Sequence, residues 1–325
     1  MNGSKLHIGL AGNLVIGREL DRKISHNSYL SPWGDVLPLL KSNDLNIVNL
    51  ESLFTTASKP VRGKAHHKAA LDKARTLTGA KINFVSLAND HALDFHEEGL
   101  LENIRVLDRY NIKHAGAGKD DVAARRPVLI DIDNTRLGII AVTDTFPDWK
   151  AAEDKPGINY LDIDSEEERE KFYAEVTELR KGLDLLLASI DWRIEMQDCP
   201  PESYIAFARG LVDSGVDIVH GHSAGITHAF ELYKQKLILY STGNFLGDNF
   251  DLFGRKSNNS ALFMLEIQDA KLIRLKIVPV TVKECKLFCA KDDDYDWSMQ
   301  QLEKLCERFD VHIQESGEVE IVGEL

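Results

Sequence analysis

Five side chains able to ligate a cation, Glu51, Asn89, His91, Asp191 and His222, stand just behind four apolar runs of strand character. The runs are 45–50 (LNIVNL), 82–87 (INFVSL), 183–190 (LDLLLASI) and 216–220 (VDIVH). Ligands of an open α/β sheet collect beyond the carboxyl ends of its strands. Residues remote in sequence are therefore expected to converge there. Carboxylate, amide and imidazole donors together suit a divalent cation, which polarises an ester or amide oxygen and acidifies a water molecule. The chemistry expected is metal-assisted hydrolysis.

Each residue also has a plainer reading. Asn89-Asp90-His91 follows a strand and suits a helix cap. A glutamate at a strand end, such as Glu51, is commonly solvated or paired. Asp191 closes an apolar strand and invites a charged partner. The Gly221-His222 step suits a close backbone approach and imidazole coordination. Arg18, behind the first apolar run, either holds an anionic group or is a surface arginine. The segment Tyr240-Ser241-Thr242-Gly243-Asn244 either forms a tight polar turn or walls the pocket.

The elements that must position these groups alternate in type. Strand-like runs at 6–11, 45–50 and 82–87 are separated by helix-like stretches at 38–42 and 67–78, and 97–110 carries amphipathic spacing. Segments 127–132 and 135–142 flank Asp133-Asn134 and read as a hairpin. Ser165 and Glu168 stand at capping-box spacing before a charged helix over 165–181. A loop and a helix around 204–214 follow the 183–190 strand. Short strands are expected at 216–220, 230–233 and 237–240, longer ones at 261–267 and 272–280, and a helix over 297–309. The expectation is an α/β fold with two mixed β-sheets packed as a sandwich and flanked by helices. One domain spans 1–285, and 286–325 is its helical extension and tail.

The chain has 325 residues, 43% hydrophobic and 28% charged, with a net charge of −13. That balance opposes binding to nucleic acid or an anionic membrane face, although a bound cation can reverse the local sign within a cleft. No run reaches the roughly 18–20 apolar residues that span a bilayer, and no signal-peptide pattern opens the sequence. Cys199, Cys285, Cys289 and Cys306 form no CxxC pair and read as reduced thiols. A cytoplasmic protein is expected; oligomeric state is not legible.

The ordered blocks GNLVIGR (12–18), NLES (49–52), SLANDHALD (86–94), GAGKDDVAARRP (116–127), SIDW (189–192), GVDIVHGHSAGI (215–226) and LILYSTGNFLGD (237–248) carry a family resemblance. The sequence resembles the CapA family, the poly-γ-glutamate biosynthesis or capsule proteins, which is similar to the calcineurin-like metallophosphoesterases. The resemblance implies a metal centre at the strand ends, held by Glu51, Asn89, the residue at 191 and His222. In the family pattern the first block has aspartate where Asn13 stands, the His-Trp-Gly block falls on Asp191-Trp192-Arg193, and a second histidine falls on Gly225. Those replacements weaken one ion's ligand set and leave the other's oxygen-rich. One ion rather than two is expected, of the Mn²⁺, Fe²⁺ or Mg²⁺ type, with Asn13 as a weaker amide ligand.

The resulting expectation is a metal-dependent hydrolase acting on a small anionic substrate, a phosphoester or a glutamyl-containing amide. His91, with Asp90, serves as the catalytic pair. Arg18, Lys64, His67, Arg193, Tyr240 and Asn244 contact the substrate. Two other readings stand beside it: a degenerate scaffold that binds an anionic ligand without catalysis, and a soluble biosynthetic transferase.

Overall fold

The computed structural model describes residues 5–24, 28–193, 199–222, 225–248, 250, 257–319 and 321. Ser223 and Ala224 of the GVDIVHGHSAGI block, and 194–198 of the loop expected after residue 190, lie outside them.

The first apolar runs become β1 (Lys5–Leu14), β2 (Leu45–Leu50) and β3 (Ile82–Ser86), followed by helix α1 (His96–Arg109) and β4 (Lys113–Ala115). These four strands are parallel neighbours. All six residues of β2 are buried, as expected of a strand covered on both faces. The hairpin is β5 (Val128–Ile132) and β6 (Thr135–Thr143). Helix α2 (Glu166–Arg180) opens with Ser165 accepting a hydrogen bond from the Glu168 amide, the cap the spacing implied. Then come β7 (Leu185–Asp191), α3 (Glu202–Asp213), β8 (Ile218–His222), β9 (Phe230–Tyr233) and β10 (Lys236–Leu239). The chain closes with β11 (Asn244–Leu246), β12 (Asn259–Gln268), β13 (Lys271–Lys283), β14 (Lys286–Cys289), α4 (Asp292–Cys306) and β15 (Glu318–Val319).

Two large sheets result. One has the order β14-β13-β12-β1-β2-β3-β4, with β11 on β1 and β15 on β13. The other has the order β9-β10-β8-β7-β6-β5. Alternation along the strands divides the apolar residues among three layers. Leu10, Ile47 and Phe84 face Ile139, Leu187 and Leu239 between the sheets. Val48 and Val85 pack outward with Leu100 and Leu107 of α1. Ala188 and Ile190 pack with Phe207 and Leu211 of α3 and Val176 of α2. The sandwich flanked by helices is therefore present. Among the described residues no helix is long and apolar enough to cross a membrane.

Three segments differ from the sequence expectations. Residues 67–78 do not form one helix: Lys68–Ala69 pairs with Leu53–Phe54, and a 3-10 turn (Leu71–Ala74) precedes a short helix (Arg75–Gly79). Backbone pairing with a distant segment outweighs local periodicity there. Asp191 and His222 lie within their strands rather than behind them, because β7 and β8 pair as far as Asp191 opposite His222. The last forty residues are not helix alone, since β14 and β15 both pair with β13. Helix α4 also starts at Asp292, where three aspartates complement the helix N-terminus.

Candidate functional site

Parallel pairing brings the ends of β1, β2 and β3 to one level: Asn13 stands opposite Asn49, and Asn49 opposite Ser86. Strand β11 adds Asn244 opposite Asn13. The second sheet ends in register with Asp191 opposite His222 and Ser189 opposite His220. Both histidines share one face, two residues apart, with ring centroids 5.4 Å apart. His220 Nε2 lies 3.0 Å from the Ala11 carbonyl of β1, a direct tie between the sheets.

A directional chain of amides runs along the first sheet's end. Asn89 Nδ2 donates to Asn49 Oδ1 at 2.9 Å, Asn49 Nδ2 to Asn13 Oδ1 at 3.0 Å, and Asn13 Nδ2 to Asn244 Oδ1 at 3.3 Å. Asn49 Nδ2 also reaches Glu51 Oε1 at 3.0 Å. The Asn89 oxygen accepts from the His91 amide at 3.0 Å.

Beside this chain stands a set of carboxylates. Burial, and then the charges of Asp90 and Asp191, push the Glu51 carboxyl well above its usual range, against an opposing pull from Lys64. Asp191 Oδ2 accepts from Thr143 at 3.0 Å and Thr145 at 3.3 Å, and its Oδ1 lies 3.5 Å from His222 Nδ1. His222 Nε2 is 2.9 Å from Ser189 Oγ, whereas Nδ1 is closed to water and has no hydrogen-bond partner among the described residues. Burial brings the His222 pKa down to about 3, so the imidazole is neutral near pH 7.

His91 belongs to a second group on the same rim. Its Nδ1 lies 2.7 Å from Asp94 Oδ2, and Asp94 Oδ2 also accepts from the His67 amide at 2.8 Å. Lys64 Nζ donates to Asp94 Oδ1 at 2.8 Å and to the Asp90 carbonyl. Burial alone would raise the Asp94 pKa, but His91 and Lys64 outweigh it and hold the carboxyl below its usual range. The His67 ring stands edge-on to His91 at 4.2 Å. Lys64 Nζ is also 5.0 Å from the ring centroids of Phe146 and Trp149, a cation–π contact that brings in the loop after β6.

Asp94 carries no assigned role in the sequence reading, and its signal was the i,i+3 spacing from His91 within SLANDHALD. Asn49, Ser189 and the Thr143–Thr145 pair were likewise missed. They are ordinary polar residues until the register sets them against Asn13, His222 and Asp191.

The donor set fits a cation only in part. Among the described residues, no three His, Cys, Asp or Glu side chains stand together as a ready-made cage. The side-chain oxygens of Asn13 and Asn89 already accept hydrogen bonds. What fits a cation is the edge between Asp191 Oδ1 and the buried, neutral Nδ1 of His222, with Glu51 within electrostatic reach.

The chain matches the family described as "Bacterial capsule synthesis protein PGA_cap" over residues 7–249. It belongs to that capsule synthesis protein family. A probable polyglutamine synthesis accessory protein of Mycobacterium tuberculosis is 30% identical over 300 residues, 87% of this chain and 78% of that one. The capsule biosynthesis protein CapA of Bacillus anthracis is 26% identical, covering 86% of this chain and 68% of its own. The PGA biosynthesis protein CapA of Bacillus subtilis is 22% identical, covering 89% and 74%. A crystal structure of a hypothetical protein from Thermus thermophilus superposes with a TM-score of 0.52 at 13% identity, over 86% of this chain and all (100%) of that one. It supports the fold alone.

Within this capsule-protein family member, two expected substrate contacts are not brought to the rim. The Arg193 guanidinium is paired with Asp164 on the exposed surface, while its amide donates to Asp144. Tyr240 is turned into the outer apolar layer, its hydroxyl donating to Glu231 at 2.6 Å and its ring stacked on Phe309. Arg18 is exposed, and its charge is felt by His67. Asn244 ends the amide chain, and Lys64 and His67 flank His91. Gly225, where the resemblance implies a histidine, has φ +68°, a conformation that disfavours any side chain.

The buried groups make stability depend on pH in two opposite senses. Burial lowers His67, His220 and His222 from 6.5 to about 3. A depressed histidine stabilises the fold fully above its unfolded value, and that contribution is lost as pH falls toward the folded value. The thermal midpoint is expected to fall between pH 6.5 and 3, less steeply in His67→Gln; equal slopes would remove His67 from the account. Glu51 works the other way. Its raised pKa means that stability is lost as pH rises above the ordinary carboxyl range. With chelator present at pH 7.5, Glu51→Gln is expected to raise Tm by about 2–4 °C. The gain should vanish near pH 4; a variant that melts lower at both pH values contradicts the buried carboxyl penalty.

Proposed function

We propose that this chain is a hydrolase acting on a small anionic substrate, a phosphoester or a γ-glutamyl amide, with one divalent cation at the sheet ends. The observation that carries it is the buried His222 Nδ1, neutral and without a hydrogen-bond partner among the described residues, 3.5 Å from Asp191 Oδ1 and among mutually repelling carboxylates. Glu51, Asp191 and His222 would hold the ion, with Asn89 as the amide neighbour, and Mn²⁺, Fe²⁺ or Mg²⁺ suits that oxygen-rich set. When bound, the cation supplies charge neutralisation and polarisation of a substrate oxygen. Asp94 fixes His91 through Nδ1, leaving Nε2 to give a proton to a leaving group. Lys64 and Arg18 place positive charge beside an anionic substrate. The names of the relatives support a glutamyl-polymer substrate, since they concern polyglutamine and PGA biosynthesis.

The test is elemental analysis of protein purified without added metal or chelator, beside Glu51→Ala and His222→Ala. About one ion per chain, lost in both variants, is the expected result. It would be followed by turnover of phosphoester and γ-glutamyl amide panels. No ion after Mn²⁺ or Fe²⁺ is supplied would defeat the proposal.

A second reading is favoured by the amide chain, which already uses the Asn13 and Asn89 oxygens in hydrogen bonds. On it, the site binds an anionic ligand without a cation. Binding of a glutamyl peptide unaffected by chelator would select this reading; strict metal dependence would exclude it.

A further inference from the structure

A cavity of about 470 Å³ lies beneath α4, between that helix, the first residues of β12 and the loop at 226–227. Its size is within the usual range of small-molecule sites, about 300–1,000 Å³. None of the strand-end residues discussed above lines it. We propose that it is a second binding site, for a small carboxylate with an apolar body.

Three features identify that chemistry. Trp297, Leu302 and Leu305 of α4, with Ile226, make an apolar wall. They call for a hydrocarbon body rather than a sugar or a polar peptide. Three other lining residues carry polar atoms closed to water and without a hydrogen-bond partner among the described residues: Thr227 Oγ1, Asn259 Nδ2 and Ser260 Oγ. Asn259 and Ser260 are only 6% and 4% exposed. An unsatisfied buried polar atom costs about 1–3 kcal/mol, so three at one cavity are a substantial unmet demand. An amide nitrogen only donates, and its missing partner must therefore be an acceptor oxygen.

Charge sets the character of that oxygen. The chain carries 52 acidic residues against 39 basic ones, yet among the described residues no aspartate or glutamate lines this cavity, while Lys304 does. In so acidic a protein, a lysine at a wall whose described residues include no carboxylate favours an anion. A carboxylate head at the polar wall, with its chain along α4, meets all three demands.

The experiment is calorimetric titration of the full chain with octanoate, with 1-octanol as the uncharged match. The expected result is saturable octanoate binding with about one site per chain, and octanol weaker by roughly tenfold. Lys304→Glu lies on an exposed position and should weaken octanoate by roughly tenfold, with its thermal midpoint measured alongside. Gln301→Trp, which fills the cavity, should remove binding. Glu51→Ala, at the strand ends, should leave it unchanged. Absence of octanoate binding overturns the proposal, as does binding equal to octanol, binding undiminished in both α4 variants, or binding lost in Glu51→Ala.

Discussion

On the proposed hydrolase function, Asp94→Ala is expected to cut turnover by roughly a hundred- to a thousandfold. The carboxylate is wholly buried and serves three partners at once: His91 Nδ1 at 2.7 Å, the His67 amide at 2.8 Å and Lys64 Nζ at 2.8 Å. Removing it frees the His91 ring to rotate and leaves the lysine, only 15% exposed, without its closest carboxylate. The loss should fall on kcat with KM little changed, because Asp94 orients the proton donor rather than holding the substrate. Unfolding in urea should show a cost of about 3–5 kcal/mol, the usual penalty for breaking a buried ion pair from one side. Asp94→Asn separates the two effects. It keeps the volume and much of the stability, yet its amide cannot serve His91, His67 and Lys64 together as a carboxylate does. Wild-type kcat in Asp94→Asn would take His91 out of proton transfer.

Gly12→Ala is expected to destabilise the protein by about 3 kcal/mol or more. A Cβ at this position would stand 1.7 Å from the Gly243 carbonyl oxygen, 2.7 Å from its carbon and 2.9 Å from the Thr242 carbonyl carbon. All are main-chain atoms, so no side chain can swing aside. The same Gly243 oxygen accepts from the Asn13 amide at 2.9 Å, which fastens β11 against β1. The substitution would therefore loosen the strand that carries Asn244 and disturb the amide chain. Gly63→Ala is the control: at φ +85° it has nothing within 4 Å, and only local backbone strain of about 1–2 kcal/mol applies. Equal losses at the two positions in denaturant unfolding would contradict the close-approach argument.

How much of this was legible in the sequence depended on the range of the interaction. Runs such as LNIVNL announce buried strands because burial on both faces demands continuous apolar residues. Ser165 announces the start of α2 because capping is a local hydrogen bond. The pairing of Asp191 with His222 at the ends of neighbouring parallel strands was legible from parallel topology. The Asp94–His91–Lys64 group was not, because it requires a loop at 64–67 to pack against the segment after β3. Nor was the turning away of Tyr240, which follows from its alternation to the outer face of the second sheet. Arg193 was misjudged for a similar reason: its partner Asp164 is 29 residues away, before α2.

The amide chain has a polarity, and that polarity sets how the molecule can change. Hydrogen bonds run one way, from Asn89 to Asn49 to Asn13 to Asn244. A carboxylate at position 13 would still accept from Asn49 but could no longer donate to Asn244. Only Asn244, the terminal member, would have to turn its amide over. Asn13→Asp is thus a one-step mutational path toward an acidic floor, with everything upstream left in place. The same replacement at Asn49 would break donations to both Asn13 and Glu51, so position 49 is closed to that route while position 13 stays open.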